Sequence, residues 1–365
     1  MSIDGNTLKI GLLCLFSVLC CLSANVHFST IKVSNTWLAT FFTYVGIVIH
    51  YFYIGDSITL GTNEILVCGI TLLVLSVCIG NAFDVAMLLR PATSVLFVAA
   101  LLFMLVNLPQ ALTGNEDAFI DGNYVGTTAN ANMLGGYLAL CCFPLFLHYA
   151  RQAESLRLRQ ISWILLVACC YLIFMTRSRA ALLVISASSV FLIMTTERLR
   201  RGGKFLLLTI ILAGTLSAAL LVSDKYGEAE LLSTRSILLL QRITAISERP
   251  WLGWGFNSDV YNYYDESNFF PAMEKGNTVL QAFEEFGIPF GTFAILGLFY
   301  IIWRAALVLR QKPHGLAFSA TLIGCAVHLM FETWLFNFPA LLSIYFWIIL
   351  LLAGYLSERK IPPSS

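Results

Sequence analysis

Two arginines in a short polar turn are the first residues of this sequence with chemistry to offer. Thr176-Arg177-Ser178-Arg179 separates two apolar runs and leads straight into Ala180-Ala181-Leu182-Leu183. A guanidinium group presents a fixed fork of N–H donors matched to phosphate oxygens and stays charged at any physiological pH. Charge at a membrane boundary is expensive, so arginines kept there are candidates for function. The pair suits phosphate groups at a membrane surface, a lipid-linked diphosphate included. The competing reading is that both side chains snorkel to lipid headgroups.

Two more constellations follow in a long polar segment. Arg235 and Arg242 are seven residues apart in a stretch that reads as an amphipathic helix, which puts both on one face. Glu248-Arg249-Pro250-Trp251-Leu252-Gly253-Trp254-Gly255-Phe256 comes next. Pro250 is expected to stop the helix, and Gly253 and Gly255 to permit a close backbone turn. Trp251 and Trp254 supply flat faces on which sugar rings can stack, or else belong to an interfacial aromatic belt. Glu274 to Gly291 then re-enters an apolar run through a helix start punctuated by glycine and proline. Asn277, Gln281 and Glu284 recur at helical spacing and share a face suited to lining a polar cavity. Glu284 and Glu285 lying in water is the alternative.

The elements that must carry these residues are dictated by composition. Of 365 residues, 58% are hydrophobic and 12% charged, with mean hydropathy +0.79. A soluble domain carries about 25% charged residues, and a spanning helix needs about 20 mostly apolar ones. The hydrophobic fraction would fill about ten such helices. That excludes a cytosolic enzyme on an anchor, a disulfide-rich secreted module and a disordered protein. Continuous apolar runs in place of alternation argue against a β-barrel. The predicted fold is all-α, a polytopic transmembrane bundle of about eleven helices (range 10–12) with one large outward loop containing short helices.

The apolar runs fall near 8–24, 36–54, 64–80, 93–113, 131–150, 161–176, 179–196, 204–223, 286–309, 315–334 and 336–356. Three regions follow: N-terminal transmembrane helices over 1–223, the large loop over 224–285, and C-terminal helices with a cytoplasmic tail over 286–365. Ile10–Ala24 reads as a retained first helix, because Met1–Lys9 lacks a basic n-region and no small-residue cleavage site follows.

Loop charge sets the orientation. Arg151, Arg157 and Arg159, then Arg198, Arg200, Arg201 and Lys204, then Arg304, Arg310 and Lys312, then Arg359 and Lys360, mark the cytoplasmic side. The opposite side receives the 114–130 loop and the segment 224–285, whose ten acids outnumber five bases. The arginine turn at 176–179 also faces outward, against the positive-inside trend. Net charge is +1, so no global field attracts nucleic acid. The ten cysteines all lie in apolar runs without metal-ligand spacing, and read as small buried side chains.

The ordered set TRSRAALL, R-x6-R ahead of ERPWLGWGF, and GNTVLQAFEEFGIPFG resembles the O-antigen ligase and polymerase superfamily. The earlier TTANANMLGGYLAL is similar to that family's Asn-containing helix start, and the resemblance covers about residues 125–350. One position departs: where the family commonly has His-Asn, this chain has Gly276-Asn277. The histidine that assists the acceptor hydroxyl in lipid A-core ligases therefore has no counterpart. None of the five histidines, His27, His50, His148, His314 and His328, lies in the long loop. This tilts the expectation from ligase to polymerase.

The resemblance implies a membrane glycosyltransferase of the bacterial inner membrane that acts at the periplasmic face, inverting and metal-independent, with no cofactor. It also implies that the large outward loop is periplasmic. Its substrates would be a glycan on undecaprenyl diphosphate and a glycan acceptor, and a chain-length regulator is an expected partner. Arg177, Arg179 and Arg242 would neutralise the leaving diphosphate with Arg235 assisting, and Glu284 is one candidate proton acceptor beside Glu274 and Asp259. Arg235, Arg249, Trp251, Trp254, Asn277 and Gln281 would bind substrate. A flippase would instead spread polar residues along many helices.

Overall fold

Residues 38, 41–42, 45, 85–120, 122–128, 130–195, 209, 211, 239–240, 242–255, 277–335 and 341–358 are described by the computed structural model. The expected apolar runs before residue 85 and at 204–223 lie almost entirely outside them, as do Arg235, Asp259, Glu274 and Gly276. Among the described residues the chain forms eight helices and one small hairpin. The helices are α1 (Val85–Thr113), α2 (Ala131–Tyr137), α3 (Phe143–Gln152), α4 (Leu156–Thr176), α5 (Arg179–Thr195), α6 (Thr278–Arg310), α7 (Gly315–His328) and α8 (Leu341–Glu358). Strands β1 (Phe119–Ile120) and β2 (Asn123–Tyr124) pair antiparallel.

Among the described residues four stretches are long and apolar enough to cross a membrane: Leu88–Thr113, Ala131–Gln152, Leu156–Thr176 and Thr278–Arg310. Three shorter apolar helices accompany them. The chain divides into two compact units, one of Met1–Val85, Thr234–Ile301 and Leu329–Ser365, the other of Ala86–Ser233 and Ile302–His328.

The second unit is built on small residues and captured carbonyls. α2 and α3 are joined by a π-helical turn, Leu138–Cys142. Pro144 has no N–H to offer the Leu140 carbonyl one turn back, and Thr321 Oγ1 of α7 donates to that carbonyl at 3.0 Å. Ser188 Oγ of α5 donates to the Ala320 carbonyl at 3.0 Å. Gly324 lets α7 approach closely: a Cβ there would lie 2.9 Å from Leu140 Cδ2 and Ser188 Oγ. On the other side Phe97 of α1 stacks on Tyr149 of α3 at 4.5 Å between ring centroids, and the Tyr149 hydroxyl meets Ser94 Oγ at 3.1 Å.

Several helices differ from the hydropathy pattern. The helix α1 begins at Val85, eight residues ahead of the run expected at 93–113. The run expected at 286–309 begins at Thr278, because Gln281, Glu284 and Glu285 lower the hydropathy of a first segment that is nonetheless buried. The run expected at 315–334 leaves its helix at His328. Beyond it, the Leu329 carbonyl accepts the Thr278 N–H at 3.1 Å and the Glu332 carbonyl accepts Thr278 Oγ1 at 2.8 Å. These carbonyls serve the start of α6 and not a longer α7.

Thr321→Val keeps the shape and removes the hydroxyl. The loss of one buried hydrogen bond is expected to cost about 1–2 kcal/mol, measured as a lower Tm of the purified protein in detergent.

Candidate functional site

The turn at 176–179 belongs to the second unit. α4 ends on Arg177, whose φ of 54° and ψ of 21° are left-handed. Glycine usually fills that position after a helix, since a side chain there costs about 1–2 kcal/mol. Thr176 Oγ1 donates to the Ile173 carbonyl at 2.7 Å and accepts the Ser178 N–H at 3.3 Å. Ser178 Oγ in turn accepts the Ala181 N–H at 3.3 Å and caps α5. Both hydroxyls are buried, while Arg177 is half-buried and Arg179 exposed.

Gly135 of α2 makes room for this turn: a Cβ there would lie 2.9 Å from Ser178 Cβ and 3.1 Å from Thr176 Oγ1. Arg177 reaches the tip of the hairpin, where a Cβ at Gly122 would sit 3.6 Å from its Nη1. Arg179 occupies the first turn of α5, the positive end of the helix dipole. Arg179 thus stands at a helix end that disfavours a cation. Arg177 instead follows the C-terminus of α4, where a cation is favoured and the cost is the left-handed backbone. No carboxylate pairs with either among the described residues.

The hairpin is itself anchored. Asn107 is fully buried in α1. Its carbonyl accepts the Tyr124 hydroxyl, and its Oδ1 accepts the Thr127 N–H at 3.0 Å. Burial pushes the Tyr124 phenol up to about 12, further above the pH range in which a tyrosine hydroxyl is already a donor. A Cβ at Gly126 would overlap Asn107 Oδ1, which requires glycine there.

The remaining expected site residues described by the structure lie in the first unit, where a loop docks onto a broken helix. α6 is interrupted at Gly287, with φ 74° and ψ 168°. Pro289 offers no N–H to the Glu285 carbonyl, and the Ile288 N–H is turned away from Glu284. The segment after the helical stretch 242–248 supplies what is missing. Trp254 N–H donates to the Glu284 carbonyl at 2.8 Å, Gly255 N–H to the Glu285 carbonyl at 3.0 Å, and Ile288 N–H to the Pro250 carbonyl at 2.7 Å. Gly253, at φ 70°, faces the break, and a Cβ there would lie 2.5 Å from Glu285 C and O. A Cβ at Gly287 would overlap the Trp251 carbonyl.

Side chains complete the joint. Arg242 Nη1 pairs with Glu284 Oε2, and both residues are buried. Glu285 is buried beside them and accepts Gln281 Nε2 at 2.8 Å. Neither glutamate lies in water. Asn277 caps α6, its Oδ1 accepting the Leu280 N–H at 2.8 Å. Trp254 is buried, its indole N–H donating to the Ala245 carbonyl at 2.8 Å, with Arg249 Cζ 4.0 Å above its ring. Trp251 is 74% exposed.

The structure thus brings together Arg242, Glu284, Trp254, Arg249 and Gln281 around one joint, and Arg177 and Arg179 around one turn. Glu285 and the mutual fit of Gly253 and Gly287 were missed by sequence reasoning. The positive-φ glycines flanking Trp254 and preceding Pro289 were the available signal. Among the described residues no cluster of three or more His, Cys, Asp or Glu side chains is placed to hold a metal.

The apolar helices and the arginine turn define a polytopic helical membrane protein. A family model described as O-antigen ligase matches residues 164–299. The match covers less than half of the chain, from within α4 through the arginine turn and α5 to the docked joint, and makes this region similar to the O-antigen ligase family. No curated protein matches the chain.

Gly287→Ala places a Cβ against the Trp251 carbonyl at a backbone angle suited to glycine, and is expected to cost about 3 kcal/mol or more, seen as a large drop in Tm and in folded yield. Arg242→Ala leaves Glu284 buried without this partner and is expected to cost about 3–5 kcal/mol, most of which the double variant Arg242→Met/Glu284→Met recovers. Denaturation of wild type, Arg242→Met, Glu284→Met and the double variant closes a mutant cycle that measures the coupling.

Proposed function

We propose that this chain polymerises undecaprenyl-diphosphate-linked oligosaccharide repeat units into O-antigen or a related surface polysaccharide at the periplasmic face of the bacterial inner membrane. The observation that carries the reading is the 176–179 turn. It holds Arg177 in a left-handed conformation and Arg179 at a helix N-terminus, with no carboxylate on either among the described residues. A bound anion offsets the charge of Arg179 at the helix N-terminus, and both guanidinium forks and the N-terminus of α5 are suited to phosphate oxygens.

The chemistry follows from the leaving group. As the glycosidic C–O bond of the donor breaks, negative charge grows on the diphosphate, and fixed arginines stabilise it without a metal. An acceptor sugar hydroxyl attacks from the opposite face and inverts the anomeric centre. Its proton passes to a carboxylate or to water. Arg242 and Glu284, buried against each other, enter as positioning residues that hold the 249–255 loop on α6. Gln281, Arg249 and Trp254 support the same joint, and Asn277 caps its helix. A chain-length regulator is a fitting partner for a polymerase.

A ligase that transfers the finished chain to lipid A-core is the second reading, favoured by the description of the matched family. Gly276, in place of the histidine those ligases use, favours polymerase.

Deletion of the gene separates the two on a lipopolysaccharide gel: single repeat units on the surface mean a lost polymerase, and no surface antigen means a lost ligase. Donor trapped in the cytoplasmic leaflet would instead identify a flippase. Arg177→Ala is expected to lower polymer formation by about 10²-fold or more at unchanged membrane level, and Arg177→Lys to rescue it poorly because a lysine cannot form the bidentate fork. A wild-type ladder from Arg177→Ala overturns the diphosphate site.

A further inference from the structure

The joint at Gly287 also fixes a depth. Between Ile288 and Trp303, α6 carries no charged residue, and that length of helix rises about 24 Å, close to the roughly 30 Å of a bilayer's hydrocarbon core. Arg304 marks one end of the apolar segment. The other end is the break, before which Gln281, Glu284 and Glu285 are all buried. If that segment spans the hydrocarbon core, Gly287 falls near the level where hydrocarbon gives way to headgroups.

The backbone bonds that close the break hold Trp251 and Leu252 at the same level, because the Trp251 carbonyl lies against Gly287 and Pro250 accepts the Ile288 N–H. Both side chains are turned outward, with Leu252 55% exposed. Ile288, Phe290, Phe293 and Leu296 are exposed along the adjoining helix. The exposed loop tip lies beside the break from which the exposed apolar residues of α6 run on. Trp303, exposed at the far end of the same segment, makes the matching aromatic anchor.

We propose that Trp251 and Leu252 form a wedge that inserts into the outer interface of the phospholipid bilayer and holds the 249–255 loop at the membrane surface. The occupant of this surface is the bilayer itself. Tryptophan suits that position, its ring lying among acyl chains with the indole N–H toward the headgroups. The wedge goes beyond the polymerase reading and uses only the membrane crossing of α6. A donor anchored in the same leaflet would meet a loop already held at the depth of its phosphates.

Fluorescence quenching tests the wedge with the full-length protein in phospholipid nanodiscs. The contribution of Trp251 is the difference between wild type and Trp251→Phe. Lipids brominated near the carbonyl end of the acyl chain are expected to remove most of that difference signal, and lipids brominated near the methyl end much less. Aqueous acrylamide is expected to leave it nearly unchanged. The double variant Trp251→Phe/Leu252→Trp moves the probe by one residue and is expected to show the same order of quenching. Loss of the signal to acrylamide, with none to either bromolipid, overturns the proposal and leaves Trp251 in water. Resistance to all three quenchers also overturns it, since a protein surface would then cover the side chain. The readout needs no glycan, so its failure is distinguishable from failure of the polymerase reading.

Discussion

A helix broken inside an apolar setting leaves backbone groups that must find partners, and the break of α6 at Gly287 is the constraint on which the first unit depends. Each buried N–H or C=O left without a hydrogen bond costs on the order of 1–3 kcal/mol. Three such groups, on Glu284, Glu285 and Ile288, are met by the backbone of Pro250, Trp254 and Gly255. The donors and acceptors come from the backbone, so the loop must approach within main-chain contact, and only glycine at 253 and 287 allows it. The break thus specifies where the loop docks, and the loop makes the break tolerable.

The ion pair of Arg242 and Glu284 follows from that docking. Two charges removed from water gain little net stability even when well paired, but a pair once buried is costly to split. Its consequence is register: the helical stretch 242–248 seats on α6 where Glu284 points, and a shift by one residue would leave both charges unmatched. Trp254, held through Ala245 and covered by Arg249, closes the same joint from the apolar side. Polar side chains that hydropathy reads as loop are here the interior of a helix–loop joint.

The arginine turn obeys a different balance. In the second unit small residues bring helices together: Gly135 admits the 176–179 turn, and Gly324 admits α5 and the π-helical turn. Ser178 and Thr176 satisfy the backbone of the turn from within, which leaves the two guanidinium groups free of structural work there. Arg177 accepts a left-handed backbone and Arg179 an unfavourable helix end. A turn that is hydrogen-bonded from within while it holds two arginines at costly positions is the observation from which the ligand site is proposed.

Much of this was legible in residues 131–195, where apolar runs coincide with α2 to α5 within a few positions and TRSR falls at the turn. Pro250 was legible as a stop, and the helical stretch ends just before it. The continuous apolar runs by themselves determined a helical membrane protein, because hydrocarbon demands internally hydrogen-bonded segments of a fixed length. They could not determine that α6 begins at Thr278, that Glu284 and Glu285 are buried, or that Gly253 and Gly287 fit each other. Those outcomes depend on contacts between segments more than thirty residues apart, such as Arg242 with Glu284. Hydropathy scores a side chain as though it met water or lipid alone, whereas in the folded chain a charge can be matched by another charge and a carbonyl by a distant N–H. Only the tertiary structure decides which of those partners arrives.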